Sequence, residues 1–331
     1  MSILTLNKQY TMGELAKRNF PGGDEEKIAE VLNKKLPLMQ VVPWYPSNQM
    51  TSHKMKQRGS LPSGAWRKIN GYTGTSLSDV QIVEESIGLL EDFTWMDEEL
   101  YNLADNGDRE RSDEDIAHIE GNSQLLEDQI INGDMLDAPE KFAGFLPRYN
   151  SLSNDHVYDN AGGAASSTEN KTSVWLVQMG KRAVHLIYPK NTKSGGIEKI
   201  DNGRVSMADP DDSTKKAYGY ETQFKFRCGL AIHDTRCVKR VCNISTSNVD
   251  GVDDFALDPE YLIAAINELP DKSQAVMLCN STVKTQLDIE LYNKTNVHLT
   301  VENWNGVDVT HFKQVPILQA DMIADDEATV E

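Results

Sequence analysis

His233 and Asp234 stand side by side near the end of a strand-like stretch. A histidine beside a carboxylate is half of a general-base dyad. No nucleophile motif accompanies it. The chain has no Gly-x-Ser-x-Gly elbow, no Gly-x-x-x-x-Gly-Lys-Ser/Thr phosphate loop and no Gly-x-Gly-x-x-Gly after a strand. A histidine at a strand end is far more often structural, and that reading is preferred. His53, His118, His156, His185, His233, His298 and His311 show neither His-x-x-x-His nor His-Glu-x-x-His spacing, so no metal site is expected. Asp209, Asp211 and Asp212 could touch Ca²⁺, but they lack the spacing and downstream Glu of a calcium loop and read as an exposed turn. Glu84-Glu85 and Glu98-Glu99 read as a solvated face. Cys228, Cys237, Cys242 and Cys279 show no Cys-x-x-Cys pairing and read as reduced, packed thiols. No catalytic residue, cofactor or metal is expected.

Charge is laid out more informatively. Between Val31 and Ser78 there is no Asp or Glu, and seven basic residues: Lys34, Lys35, Lys54, Lys56, Arg58, Arg67 and Lys68. Between Asp79 and Glu140 there are twenty acids and only Arg109 and Arg111 as bases, so this stretch carries −18, the net charge of the whole chain. A basic arm followed by an acidic body suggests a protein that binds copies of itself, one subunit's arm steered onto its neighbour's body. Two solvated faces without a partner are the other reading. The net charge of −18 argues against general nucleic-acid binding, which needs clustered Lys and Arg, but not against enclosing DNA. No apolar run approaches the roughly 20 residues that span a bilayer, and the N-terminus reads as no secretion signal.

The elements that carry these charges follow from periodicity. Residues 11–35 predict two short helices split at Pro21 to Gly23, with Ile28, Val31, Leu32 and Leu36 on one face. Residues 47–78 predict an extended hairpin, its strands Thr51 to Arg58 and Ala65 to Tyr72 around a turn from Gly59 to Gly64. It has too few apolar residues to stand alone and must lie on another surface or be mobile. The clearest helix runs over 112–132, with Ser112 as N-cap, Ile116, Ile119, Ser123, Leu126 and Ile130 on a narrow apolar face, and a stop at Asn132-Gly133. The region 172–244 predicts strands, with Val174 to Met179 and Ala183 to Tyr188 as a hairpin, a half-buried strand over 223–232 and another over 236–244. Residues 190–218 read as an exposed loop. From 258 helix and strand alternate: a helix opening at Asp258-Pro259, a strand over 274–279, a helix capped by Asn280, a hairpin around Asn305-Gly306 and a last strand over 315–318, before an acidic tail.

The order of these elements resembles the major capsid proteins of tailed bacteriophages, the Hong Kong ninety-seven-like coat fold. More closely, the segments Leu61-Pro-Ser-Gly-Ala-Trp-Arg-Lys68, Pro139-Glu-Lys-Phe142, Leu146-Pro-Arg-Tyr149, Thr172-Ser-Val-Trp-Leu-Val177, Ile187-Tyr-Pro-Lys190 and Lys294-Thr-Asn-Val-His-Leu-Thr300 are similar to the podovirus "gene product seven" major head protein family. The resemblance implies an α+β fold with a permuted connection order. It implies an N-terminal arm (1–46), an extended loop (47–78), a peripheral domain (79–245) with a spine helix at about 112–132, and an axial domain (246–331). It further implies no enzyme activity, but self-assembly into pentamers and hexamers of an icosahedral head around double-stranded DNA. Assembly would take place in the host bacterial cytoplasm, with a separate scaffolding protein, a portal and a cement or decoration protein as partners. The inter-subunit contacts expected are Lys54, Lys56, Arg58, Arg67 and Lys68 on the loop, with Asp113, Glu114 and Glu120, or any acid between Asp79 and Glu99, receiving them. Two alternatives are an encapsulin-like nanocompartment shell and a soluble α+β enzyme, such as a hydrolase using His233 and Asp234.

Overall fold

The computed structural model describes residues 34–136, 138–162, 170–192, 196–208, 214–246, 256–292, 299–304 and 307–331. The helices expected over 11–35, the Asp209–Asp212 turn and the Asn305-Gly306 turn fall almost entirely outside these residues. The chain runs through α1 (Pro37–Val41), β1 (Trp44–Pro46), β2 (Ser52–Arg58), β3 (Val80–Ser86), β4 (Gly88–Asp97), α2 (Glu98–Leu103) and α3 (Gly107–Asn132). It continues through β5 (Val157–Asp159), β6 (Lys171–Gln178), β7 (Val184–Tyr188), β8 (Ile197–Ala208), β9 (Lys216–Ile232) and β10 (Val238–Ser245). Last come α4 (Pro259–Asn267), β11 (Ala275–Cys279), α5 (Ser281–Tyr292), β12 (Leu299–Trp304), β13 (Val307–Phe312) and β14 (Val315–Gln319). Contacts divide the described residues into two compact units, the smaller drawn from 89–126 and 196–227 and the larger from 35–88, 127–195 and 228–331.

In the smaller unit β8 and β9 form a long antiparallel pair, Ile197 opposite Phe226 through Ala208 opposite Lys216, with β4 on the other side of β9. The exposed loop expected over 190–218 is therefore mostly strand. Its few apolar residues hid the alternation, and a bulge between Asp201 and Gly203 shifts it midway. The alternation expected over 223–232 is present as far as Cys228, with Phe224, Phe226 and Cys228 buried and the residues between them less so, whereas every residue from Cys228 to Ile232 is buried.

The long helix begins five residues before Ser112. Asn106 is its cap, its Oδ1 accepting from the Arg109 amide at 3.2 Å. The expected apolar stripe holds in its second half, where Leu126 and Ile130 are buried, but not in its first, where Ile116 is exposed and Asp115 and Asn122 are buried instead. Asp115 pairs with Lys199 at 2.6 Å, and Arg111 reaches Asp201 and Thr222 at 3.0 and 3.1 Å. His118 lies parallel to the Phe224 ring, centroids 5.9 Å apart, and contacts Asp92 at 2.6 Å. A hydrophobic count misses the first turns of such a helix because ion pairs and hydrogen bonds satisfy their inward face.

The larger unit is built on a seven-stranded mixed sheet, in the order β12-β13-β14-β11-β6-β10-β5. β6 is its axis, antiparallel to both β10 and β11 and buried at every residue. Strands from before and after the expected 245/246 domain boundary share this one sheet. α4 and α5 cover one face, where Leu262, Ile266, Val283 and Leu287 meet Val174, Leu176, Val241 and Met277. Both helices open as expected: Asp258 accepts from the Glu260 amide and Asn280 from the Val283 amide, each at 2.9 Å. On β6's other face Trp175 packs against Phe145 and Tyr149, with the Arg240 guanidinium 5.1 Å from its centroid.

The hairpin expected from 174 to 188 does not form. β7 leaves the sheet of β6 at Gly180 and pairs with β1 and with the end of β9. The strand-rich stretch 172–244 is thus not one block but is divided between two sheets. The last residues are more than an acidic tail: Ile323 and Val330 are buried, and Glu327 pairs with Arg240 at 2.9 Å. All four cysteines are free and buried, as expected.

Candidate assembly surface

The expected loop hairpin is present with a different partner strand. β2 pairs not with residues 65–72 but with β3, Ser52 opposite Ser86 through Arg58 opposite Val80. The basic strand therefore lies beside the start of the acidic region. Lys54 faces Glu84, their charged atoms 3.3 Å apart, and Ser52 Oγ donates to the same carboxylate at 2.6 Å. The hydroxyl holds the Glu84 carboxyl below its ordinary range, with Lys54 contributing.

The root of this hairpin is fixed from several sides. Met55 is buried with Ile187 and Ala231, and Gln57 Nε2 donates to the carbonyls of Ile232 and His233 at 3.3 and 3.0 Å. Glu85 is buried against Arg148. Arg148 follows a tight turn that Gly144 permits, since a Cβ there would meet the carbonyls of Gln129 and Ile130 at 2.7 Å.

Beyond the root, residues 59–79 project without regular strands. Hydrogen bonds within them include Gly59 N to Asp79 O at 3.1 Å, Gly71 N to Lys68 O at 2.9 Å, Ser76 Oγ to Ser63 O at 3.2 Å and Arg67 Nη1 to Gly71 O at 2.8 Å. Trp66 and Tyr72 are fully exposed, and Leu61, Ile69 and Leu77 nearly so. Burying one such side chain gains about 1.5–3 kcal/mol, so five together on one projection mark a surface made to be covered. Lys56, Arg58, Arg67 and Lys68 are exposed on the same projection and its root.

The three acids expected to receive these cations lie on α3 with different surroundings. Glu114 is 3.7 Å from His118 within its own helix, and Glu120 accepts from Gln124 at 3.1 Å. Asp113 is half-buried. His233 and Asp234, the alternative reading as half of a dyad, are not paired with each other. Asp234 is held by Arg236 at 2.7 Å, which keeps its carboxyl below the ordinary range, while His233 stacks on His185. The signal that sequence reading lacked was the partner of β2. The stretch 65–72 reads as a strand, yet it forms none, and its Trp66, Ile69 and Tyr72 are left uncovered.

A fold of this kind, with a rooted, projecting hairpin, a long helix beside a long strand pair and a helix-covered mixed sheet, is that of a shell-forming coat subunit. The family model of major capsid protein GP7 matches residues 21–331, and the chain belongs to that family. A chain from a near-atomic cryo-EM structure of bacteriophage Epsilon15 is similar to it over 100% of this chain and 99% of that one, at 22% identity and a TM-score of 0.75. More distant likenesses include an encapsulin of Synechococcus elongatus PCC 7942 (11% identity, 71% of this chain and 96% of that one, TM-score 0.47) and the bacteriophage JBD30 capsid (13%, 91% and 96%, 0.44). No curated protein matches the chain. The protein is a structural coat subunit of a phage head, self-associating into the icosahedral shell of the virion, and not an enzyme.

Proposed function

We propose that residues 59–79 are the grip of one coat subunit on the next. The observation that carries this reading is the full exposure of Trp66 and Tyr72 on a hairpin whose root is firmly packed. The aromatics supply the buried area, and Lys56, Arg58, Arg67 and Lys68 supply steering toward an acidic neighbour. Asp113 and Glu120 are the preferred acids, because Glu114 is already beside His118. Lys54 contributes less, because Glu84 of its own strand pair faces it. Many such contacts per shell, each modest and reversible, allow errors to dissolve before avidity locks the assembly.

In this reading the helix-covered sheet of the larger unit is the axial part, around which pentamers and hexamers form. The long helix with β8 and β9 is the peripheral part. The acidic body encloses double-stranded DNA without gripping its phosphates. A separate scaffolding protein, a portal and a cement or decoration protein complete the head, which assembles in the host cytoplasm. Light scattering of purified subunits across a salt series tests the electrostatic part. Assembly that slows steeply between about 50 mM and 500 mM salt supports steering, as screening lengths shrink below 10 Å. Rates independent of salt contradict it.

A further inference from the structure

Three histidines distant in sequence meet in the larger unit. His53 is on β2, His185 on β7 and His233 just past the end of β9. The His185 and His233 rings stack with centroids 5.2 Å apart, and His53 meets them edge-on at 6.0 and 5.8 Å. One ring nitrogen from each lies within 4.8 Å of the other two, and among the described residues this is the one such cluster of His, Cys, Asp or Glu. We propose that His53, His185 and His233 form a site for a divalent transition-metal ion of the zinc, nickel or cobalt type, each giving one ring nitrogen.

The donor set selects the ion. Three imidazoles without a carboxylate among them suit borderline transition metals and not Ca²⁺ or Mg²⁺, which take oxygen ligands. Three protein nitrogens leave a fourth tetrahedral position for water. His185 is already oriented for ligation. Its Nδ1–H donates to the Gly180 carbonyl at 3.3 Å, which fixes the tautomer and leaves the Nε2 lone pair free. Burial keeps all three rings below the ordinary histidine range, His185 down to about 4, so at neutral pH no proton competes for the nitrogens.

Two adjustments accompany binding. Metal–nitrogen bonds of about 2.0–2.1 Å require the nitrogens to draw closer, and the half-buried His53 and His233 are the rings with room to turn. His53 Nδ1 accepts from the Asn48 amide at 3.2 Å, so ligation through its Nε2 moves the ring proton to Nδ1 and displaces that long contact. The bound ion would tie the root strand of the hairpin to β7 and to the end of β9. This site stands whether or not the hairpin tip grips a neighbour.

The test is a Co²⁺ titration of the full chain after chelation, followed by visible absorption, with equilibrium dialysis of Zn²⁺ alongside. One ion per chain is expected, with absorption bands of nitrogen-ligated tetrahedral cobalt. His53→Gln and His233→Gln are each expected to weaken binding by at least about a hundredfold, the upper end of what loss of a ligand's outer hydrogen bond costs. Metal-free melting of each variant confirms that it is folded. Absence of stoichiometric binding to the wild-type chain overturns the site on its own. Equal binding by either folded variant also overturns it, because the ions would then sit on the acidic surface.

Discussion

Arg148 clamps Glu85 with two parallel hydrogen bonds, Nη1 to Oε1 and Nη2 to Oε2, each 2.6 Å. Glu85 is the buried member of β3, so this pair fastens the root of the projecting hairpin to the segment Leu146-Pro147-Arg148-Tyr149. Removing the cation leaves a buried carboxylate alone. Arg148→Ala is expected to cost about 3 kcal/mol, the low end for breaking a buried pair because the guanidinium is partly exposed. A urea midpoint measures it. Arg148→Met combined with Glu85→Leu is expected to recover most of the loss, since the pair is then replaced and not broken.

Glu127 gives the chain a pH dependence at its neutral end. It is fully buried where α3 passes beneath the amides of Leu38 and Met39, yet neither carboxylate oxygen makes a well-formed hydrogen bond. Burial raises its carboxyl from 4.5 to about 8, with the two amides opposing weakly. A raised folded value means stability that is complete below pH 4.5 and is lost as pH rises through 8. Urea midpoints of the wild type are expected to fall over that window. Glu127→Gln is expected to flatten the fall, with a gain on the order of a few kcal/mol at pH 8. A variant as pH-dependent as the wild type would place the titrating group elsewhere.

His118 acts in a different window. The Glu114 carboxylate and the nearer Asp92 raise it from 6.5 to about 9 against partial burial. Its contribution is complete below pH 6.5 and is lost as pH rises through 9. His118→Gln is expected to leave the smaller unit less stable at pH 6 and to differ little from wild type above pH 9. Following the His118 ring by NMR through the titration reads its protonation directly; a midpoint near 6.5 would contradict the assignment.

The sequence makes some of this architecture legible and hides the rest for physical reasons. Asp258-Pro259 and Asn280 announce their helices because capping is local chemistry. β9 is legible because one face of Phe224, Phe226 and Cys228 is buried. β8 is hidden because its residues are mostly polar and exposed, and pairing to β9 and ion pairs such as Lys199–Asp115 hold it without an apolar face. The start of α3 is hidden because Asp115 and Asn122, not leucines, face inward. The strand partner of β2 is hidden because pairing across a tip of some twenty residues leaves no turn signal next to either strand. The histidine cluster is hidden because three strands bring it together, with no spacing for a motif to match.

The charge of the loop is separable from its shape. Reversing Lys56, Arg58, Arg67 and Lys68 together to Glu is expected to leave each subunit folded, because all four are exposed, and to slow or misdirect assembly. Adding Lys54 to that set is expected to lower the melting temperature slightly as well, because its own Glu84 then meets a like charge across the strand pair. Circular dichroism checks the fold and light scattering the assembly. Shells forming at normal rate and size from the fourfold variant would rule out electrostatic docking.

The most direct measurement is electron microscopy of shells made by the chain with residues 60–78 replaced by a short Gly-Ser turn, beside the wild type under the same conditions. The replacement removes Trp66 and Tyr72 but keeps β2, β3 and the Arg148–Glu85 clamp. The account expects closed round shells from the wild type and folded, dispersed subunits or small oligomers from the variant. Closed shells of normal size from the variant would contradict it and would place the grip between subunits elsewhere on the molecule.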